Sequence, residues 1–282
     1  MVVATATRRR ADGGPSARSL LISVLGQWVG PNDTPVWTAT LVGALEALGI
    51  EPRAARQAVN RTAADGWLEG ESVGRYTRWR LTSSGRRMIG SAVPRVQRSI
   101  VADQKWDGTF LLLMLTGTAL DREARERLAV GLDFEGFGTL GTGTWVAVGE
   151  GSREGAEVVL TACGLQDEAL LFHATTVEGA ETPAEVVAMA WDLATAAAAH
   201  EAFVDQFEIA MPADAAEAFA LRTRMAHEWR HLLSVDPSLP PELLPEDWIG
   251  TRARKVFQRQ FGLWAEASTS YYIRLSEEPV VS

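Results

Sequence analysis

The spacing of apolar residues changes near residue 66, and this change constrains the fold of the first part of the chain more than any other feature. Before it, apolar residues recur at helical spacing and predict three helices, over 17–29, 37–48 and 52–65. After it, the stretch LEGESVGRYTRWRLT alternates around a glycine and predicts two antiparallel strands. Three helices and a hairpin within about 70 residues are typical of a winged helix-turn-helix. We therefore predict an N-terminal winged helix-turn-helix domain over residues 18–95.

The apolar pattern changes again after residue 105. TFLLLMLTG predicts a buried strand and DREARERLAVGLDFEGF an amphipathic helix, while GTLGTGTWVAVG fits either a strand pair or one bent strand. EALLFHATTV predicts a last strand, with a further helix before it. This order is typical of a ferredoxin-like α/β sandwich, which we place at 96–182 as the central domain.

The rest of the chain has a helical pattern. Helices are predicted over 183–208, 213–234 and 251–267, with the proline-rich loop DPSLPPELLPEDW before the last of them. We place a helical C-terminal domain at 183–282. Residues 1–17 contain three consecutive arginines without an apolar stretch after them, and they are predicted to be a disordered tail. The fold class is therefore α+β.

Charge is distributed unevenly along the chain. The net charge is −9, but residues 1–105 hold 15 Lys and Arg against 8 Asp and Glu, whereas residues 106–282 hold 12 against 28. A basic front section joined to an acidic body predicts that one domain meets a polyanion such as DNA and that the rest does not.

Cysteine content and hydropathy indicate where such a protein acts. Cys163 is the only cysteine, so no internal disulfide can form, and a reducing cytoplasm is the simple inference. Cys163 is expected to be a small buried hydrophobic residue. No apolar run reaches the roughly 18 residues of a membrane span, so no membrane partner is expected.

The third predicted helix, PRAARQAVNRTAAD, carries the clearest functional signal. On a helical wheel its guanidinium and amide side chains share an arc of roughly 140°, while small and β-branched residues occupy the other side. These are the groups that bind guanine and adenine edges in a major groove. The alternative is a solvated face, but such faces usually mix charge signs and this one has no acid. The predicted DNA contacts of this helix are Arg53, Arg56, Gln57, Asn60 and Arg61.

The hairpin that follows is also basic. Its GRYTRWR stretch offers cations and an aromatic ring that we expect to meet phosphate or the minor groove. Trp79, in the same stretch, is expected to anchor the hairpin to the core instead. The predicted DNA contacts of the hairpin are Arg75, Tyr76, Arg78 and Arg80.

Residues 227–231 read HEWRH, which matches the H-E-x-x-H pattern of zinc hydrolases. A catalytic zinc site needs a third protein ligand, and no histidine follows His231. Arg230 would also place a cation close to the metal. We therefore predict neither catalysis nor a metal site here, and no cofactor for the chain. A nuclease on the central domain is a further alternative, with Asp107 and Asp121 flanking the first strand, but they do not form a convincing metal pair.

Several stretches resemble one family of regulators. RQAVNRTAADGWLEGESVGRYTRWRLTSSGRR resembles the winged-helix segment of PaaX-type transcriptional repressors, and WDGTFLLLMLTG with TLGTGTWVAV resembles their central domain. The run from FALRTRMAHEWRHLL through DPSLPPELLPEDWIG resembles their closing helical domain, and DPSLPPELLPEDWIG is its most specific part. The resemblance implies a homodimer that binds double-stranded operator DNA and represses aromatic catabolism, chiefly of phenylacetate. It further implies release from DNA by an aryl-acyl-CoA such as phenylacetyl-CoA.

An acyl-CoA effector would require cations for its phosphates and an apolar wall for its aryl group. The HEWRH helix and two tryptophans elsewhere could supply them, or the same groups could pair with acidic residues and hold the helices together. A different aromatic thioester, a free aromatic acid or no ligand also remains open. The candidate effector residues are Trp191, Arg222, His227, Trp229, Arg230, His231 and Trp248.

Overall fold

A computed structural model describes residues 14–101, 105–116, 120–149 and 151–277. Of the predicted tail, 1–17, residues 1–13 lie outside the described residues. The strands of the described part are β1 Val36–Trp37, β2 Leu68–Val73, β3 Tyr76–Leu81, β4 Phe110–Leu115, β5 Gly138–Gly141, β6 Thr144–Ala147 and β7 Ala169–Ala174. The α-helices there are α1 Ala17–Val24, α2 Thr38–Ala47, α3 Pro52–Ala64, α4 Ser83–Gly90, α5 Val93–Ile100, α6 Arg122–Phe134, α7 Gly151–Cys163, α8 Pro183–Ala190, α9 Leu193–Phe207, α10 Ala215–Leu232, α11 Ile249–Leu263 and α12 Ala265–Ser276. The chain is thus a mixed α+β protein with two antiparallel sheets.

The described residues divide into two compact units. One contains Arg95–Val204 and His231–Arg254, and the other contains residues 14–94, Asp205–Arg230 and residues 255–277. Each unit has its own sheet and its own buried apolar cluster.

The unit that contains residues 14–94 is built on α1, α2 and α3. Their buried faces form one cluster, to which α10 adds Phe219 and Ala220, while Tyr272 of α12 packs against it. A three-stranded sheet in the order β1-β3-β2 adjoins the helices. The short strand β1 pairs Trp37 with Arg78, so Trp37 lies before α2 and not inside the helix that the sequence predicted. The first predicted helix is also shorter than expected, because Leu25–Val29 forms a π-helical turn after α1.

The other unit contains a four-stranded antiparallel sheet in the order β5-β6-β4-β7. Its elements follow the sequence β-α-β-β-α-β, with α6 and α7 as the helices. The stretch GTLGTGTWVAVG, which fits either a strand pair or one bent strand by sequence, forms two paired strands, β5 and β6. Their register shifts between Thr139 and Gly141. Residues of β4, α6 and α7 form the apolar cluster of the sheet, and Cys163 packs against it partly buried.

Two predictions for the C-terminal helices were wrong. The single helix expected over 183–208 is interrupted, because Trp191 adopts an extended conformation (φ −129°, ψ 143°) between α8 and α9. The last predicted helix, 251–267, is α11 followed by α12, which starts at Ala265. Among the described residues, no helix has the length and apolar character to cross a membrane.

Candidate nucleic-acid interface

Helix α3 has the two-sided character that its sequence predicts. Pro52 occupies the first turn, where its missing N–H costs nothing, and Gly66 follows the helix at φ 76°. One side is buried against α1 and α2: Ala55, Ala58, Val59 and Thr62. The connection from α2 to α3 is residues 48–51, with Gly49 at φ 78°.

The opposite side of α3 is exposed along its length, and the helix contains no acidic residue. It therefore presents guanidinium and amide groups without a carboxylate among them, as a major-groove helix does. The structure brings all five predicted contacts of this helix onto that one side: Arg53, Arg56, Gln57, Asn60 and Arg61.

Strands β2 and β3 form a hairpin through a two-residue turn, Gly74–Arg75. Gly74 has φ 60°, which suits the first position of such a turn. Arg75 is exposed, donates from Nη2 to the Tyr76 hydroxyl at 2.8 Å and lies over the Tyr76 ring. Arg75 and Tyr76 thus form one basic and aromatic tip.

Two of the hairpin arginines face carboxylates. Arg78 is opposite Glu71 in the β2–β3 register and donates to its Oε2 at 2.8 Å. This hydrogen bond and the charge of Arg78 lower the pKa of the Glu71 carboxyl below its ordinary value. Arg80 is exposed and opposite Glu69. The net positive charge of the hairpin is therefore smaller than its arginines alone suggest.

Trp79 fixes the hairpin to the helices. Its indole Nε1 donates to Thr38 Oγ1 at 2.8 Å, and its ring packs against the apolar cluster of the unit. Gly70, opposite on β2, is required there because a Cβ would lie 2.8 Å from the ring. The anchoring role predicted for Trp79 is confirmed.

The HEWRH stretch lies near the end of α10, and its first histidine is hydrogen-bonded to another helix. His227 is buried, with Nδ1 hydrogen-bonded to Ser23 Oγ at 3.0 Å and Nε2 to Ser19 Oγ at 3.4 Å. Both ring nitrogens thus face hydroxyls of α1. In the described part of the chain, no group of three or more His, Cys, Asp or Glu side chains could hold a metal ion.

Three models of one protein family match successive parts of the chain. The PaaX-like protein model matches residues 16–85, the PaaX protein central Cas2-like domain matches 103–187, and the PaaX-like protein C-terminal domain matches 191–274. The chain belongs to the PaaX family. The resemblance predicted from the sequence is confirmed.

Individual relatives agree with the family models. The transcriptional repressor PaaX of Escherichia coli (strain K12) is 27% identical over an alignment of 275 residues that covers 94% of this chain and 85% of that protein. Among solved structures, the uncharacterized protein Rv0674 from Mycobacterium tuberculosis is similar with a TM-score of 0.57 at 22% identity, covering 90% of this chain and 98% of the other. At this identity, the second likeness concerns the fold alone.

The α10 residues considered for effector binding in this PaaX family member are engaged in packing. Arg222 donates from Nε to the Phe261 carbonyl at 3.1 Å, and its guanidinium lies 3.9 Å from the centre of the Phe261 ring. Burial lowers the pKa of Arg222. Trp229 is buried with its ring 4.8 Å from that of Phe257. Arg230 is mostly buried, which lowers its pKa, and its Nη2 has no hydrogen-bond partner within the described part of the structure.

The remaining candidates belong to the unit that contains the four-stranded sheet. Trp191 donates from Nε1 to the Gly136 carbonyl at 3.2 Å. Trp248 meets His200 edge to face, and His231 is partly buried at the end of α10. None of the seven candidate effector residues lines either of two cavities that lie within the units.

One of those cavities in this PaaX family member is lined by arginines that are not among the residues predicted from the sequence. Arg95 and Arg98 lie three residues apart on α5, and Arg254 lies on α11. The sequence signal was the spacing in VPRVQRSI, which places both cations on one side of a short helix. Helix α5 follows α4, and no helix is predicted there from the sequence, so this spacing has no interpretation in the sequence analysis.

Proposed function

We propose that this PaaX family protein is a DNA-binding transcriptional repressor. The observation that carries the proposal is the exposed side of α3, where five guanidinium and amide side chains project without an acid among them. Bidentate pairing of arginine with guanine, and of asparagine or glutamine with adenine, is the usual means of direct base recognition. Similarity to the E. coli repressor supports the same function.

In this proposal the first unit includes a winged helix-turn-helix. Helices α2 and α3 form the helix-turn-helix with its glycine-containing connection, and α3 enters the major groove. The β2–β3 hairpin is the wing, with Arg75 and Tyr76 at its tip placed to contact phosphate or the minor groove. Arg78 and Arg80 contribute less, because Glu71 and Glu69 lie opposite them.

The remaining parts of the proposal concern the other domains and the ligand. The β-α-β-β-α-β unit is a ferredoxin-like central domain, and the boundaries of the three domains are 18–95, 96–182 and 183–282.

The protein acts in the cytoplasm as a homodimer, because a two-fold operator is bound by two copies of one helix. An aryl-acyl-CoA such as phenylacetyl-CoA releases it from the operator of an aromatic catabolic operon. Effector binding requires differential affinity for the free and DNA-bound states.

The test is a fluorescence-anisotropy titration of labelled DNA from upstream of the gene, with a shuffled sequence as control. We expect preference for the native sequence, a steep decrease in affinity with salt, and weaker binding when phenylacetyl-CoA is added. If binding is specific but phenylacetyl-CoA does not change it, the repressor function is retained and phenylacetyl-CoA is rejected as the effector. Other aromatic ligands would then be screened. Equal affinity for both sequences at every salt concentration would overturn the repressor itself.

A further inference from the structure

A small basic cavity lies within the unit that contains the four-stranded sheet. Arginines of α5 and α11 form one side of it, and the Pro237–Pro241 segment of the proline-rich loop forms another. Ser152, at the start of α7, and Val148 also line it. The cavity volume is about 50 Å³. A buried water needs ~10–15 Å³ on this measure, so the space equals roughly three or four waters, close to the size of one phosphate group.

Arg95 is the most deeply placed cation of the cavity. It is only 5% exposed, and its Nη2 donates to the Asp236 carbonyl at 2.9 Å. Its Nε is buried and has no hydrogen-bond partner among the described residues. Burial lowers the pKa of Arg95 to about 10, against the opposing effect of the Asp236 and Glu135 carboxylates, so the side chain is charged at neutral pH.

Ser238 supplies a second buried group without a partner. It has φ 55°, and its backbone N–H donates to Asp236 Oδ1 at 2.7 Å. Its Oγ is buried and makes no hydrogen bond within the described structure. Buried polar groups are nearly always satisfied in native proteins, so two unsatisfied donors lining one cavity indicate a missing acceptor.

Two further arginines are held at the same cavity by single contacts. Arg98 Nη2 lies 3.2 Å from Glu135 Oε2, and Arg254 donates from Nε to the Ser99 carbonyl at 3.0 Å. Asp236, the other nearby carboxylate, is hydrogen-bonded to His200 Nε2 at 3.0 Å. Three guanidinium groups therefore line the cavity, and the two nearby carboxylates, Glu135 and Asp236, each already have a partner.

We propose that this cavity binds a phosphate group of a phosphorylated ligand. Arg95 Nε and the Ser238 hydroxyl donate to phosphate oxygens, and Arg98 and Arg254 complete the charge compensation, since charge-assisted bonds to oxyanions are the strong ones. The inference rests on the proposed function for the identity of the ligand: coenzyme A carries a pyrophosphate and a ribose phosphate, and one of these groups occupies the cavity when an aryl-acyl-CoA binds.

Calorimetric titration of the full-length protein tests the cavity directly. The probes are inorganic phosphate, pyrophosphate, dephospho-coenzyme A and coenzyme A, which separate a free phosphate from each phosphate of the coenzyme. We expect Arg254→Gln and Ser238→Ala each to weaken binding of the best probe about tenfold or more. Arg127→Gln is the matched control, because it removes an arginine with one surface carboxylate partner from the same unit without touching the cavity.

Ser238→Ala also separates binding from folding. Removal of a hydroxyl that has no partner leaves the thermal midpoint of unfolding unchanged, whereas loss of a structural contact would lower it. Wild-type affinity in both cavity variants, or no binding of any of the four probes to the wild-type protein, would overturn the site.

Release from operator DNA distinguishes this inference from the proposed function. If phenylacetyl-CoA releases the wild-type protein and Arg254→Gln from DNA equally well, the proposed phosphate site is wrong and the proposed effector is retained. If pyrophosphate binds at the cavity and phenylacetyl-CoA does not alter DNA binding, the site stands and the proposed effector is wrong.

Discussion

His227 Nδ1 lies 3.0 Å from the hydroxyl oxygen of Ser23, 204 positions earlier in the chain. The Ser23 hydroxyl also lies 3.3 Å from the Ser19 carbonyl oxygen, so one hydroxyl contacts both the imidazole and the backbone of α1. The first histidine of an H-E-x-x-H pattern thus joins α10 to α1.

Replacement of this histidine tests the structural role. His227→Ala removes the imidazole that two buried hydroxyls contact and opens a cavity, so we expect the free energy of unfolding to fall by about 2–4 kcal/mol. Urea denaturation measures it, with Leu263→Ala, an exposed side chain of α11 in the same unit, as the control that leaves stability nearly unchanged. Zinc should not raise the thermal midpoint of the wild-type protein. A zinc-dependent increase that disappears in His227→Ala would contradict the structural assignment.

Glu71→Gln tests whether the hairpin carboxylate limits DNA binding. The substitution removes the carboxylate charge that forms an ion pair with Arg78, so the Arg78 guanidinium becomes available to a DNA phosphate. We expect tighter binding to any DNA sequence and a slope of log affinity against log salt that is steeper by about 0.9. Glu266→Gln on α12 removes the same charge away from the hairpin and should leave the slope unchanged. Equal slopes for the wild type and Glu71→Gln would show that the hairpin does not meet the backbone of DNA.

Gly136→Ala tests the packing around Arg95. Gly136 has φ 89°, and a Cβ there would lie 2.7 Å from Arg95 Nη1 and 2.9 Å from the Pro237 carbonyl oxygen. Gly164 provides the matched control, because it also has positive φ (71°) but a Cβ would meet open space. Both substitutions carry the backbone cost of about 1–3 kcal/mol, and Gly136→Ala should be clearly the less stable of the two in urea denaturation. Equal losses would mean that close approach to Arg95 and to the Pro237 carbonyl adds nothing to the cost.

Asp236→Asn tests the buried carboxylate beside the cavity. Burial alone would raise the pKa of Asp236, but the His200 hydrogen bond and charge, the Ser238 N–H and Arg95 together hold it below its ordinary value. A lowered pKa means that the carboxylate stabilises the fold fully above about pH 5 and progressively less as the pH falls through and below ~3.9. We expect Asp236→Asn to lose roughly 3 kcal/mol at pH 7 and this deficit to shrink as the pH falls below ~3.9.

Urea denaturation of both proteins between pH 7 and pH 3 measures this convergence. Asp167→Asn, on an exposed turn, should parallel the wild type throughout. A deficit of Asp236→Asn that stays constant with pH would mean that the charge of Asp236 is not what stabilises this region.

The parts of the fold that the sequence predicted are those governed by local periodicity. The small buried residues of α3, such as Ala58, alternate with exposed polar ones such as Asn60 at a helical period, and the wheel placed them correctly. The β2–β3 hairpin followed from strand alternation around Gly74. The interruption at Trp191 could not be predicted this way, because its apolar neighbours continue the helical pattern on both sides.

The contacts that define the sites depend on distant residues. Arg95 meets the carbonyl of Asp236, 141 positions away, and no pattern within α5 reports that partner. His227 was interpreted together with its neighbours on α10, whereas its ring nitrogens meet α1. A search for cations at local spacing would have found Arg95 and Arg98, but it would not have found Ser238 or the cavity.

The most direct measurement of the central claim compares the double variant Gln57→Ala/Asn60→Ala with the wild type on DNA from upstream of the gene and on shuffled DNA. Loss of amide contacts to base edges costs about 1–3 kcal/mol for each good pair, so the ratio of specific to non-specific affinity should fall at least tenfold while binding to shuffled DNA is retained. Arg87→Ala on α4 is the control and should keep the wild-type ratio. A wild-type ratio in the double variant would contradict base recognition by α3.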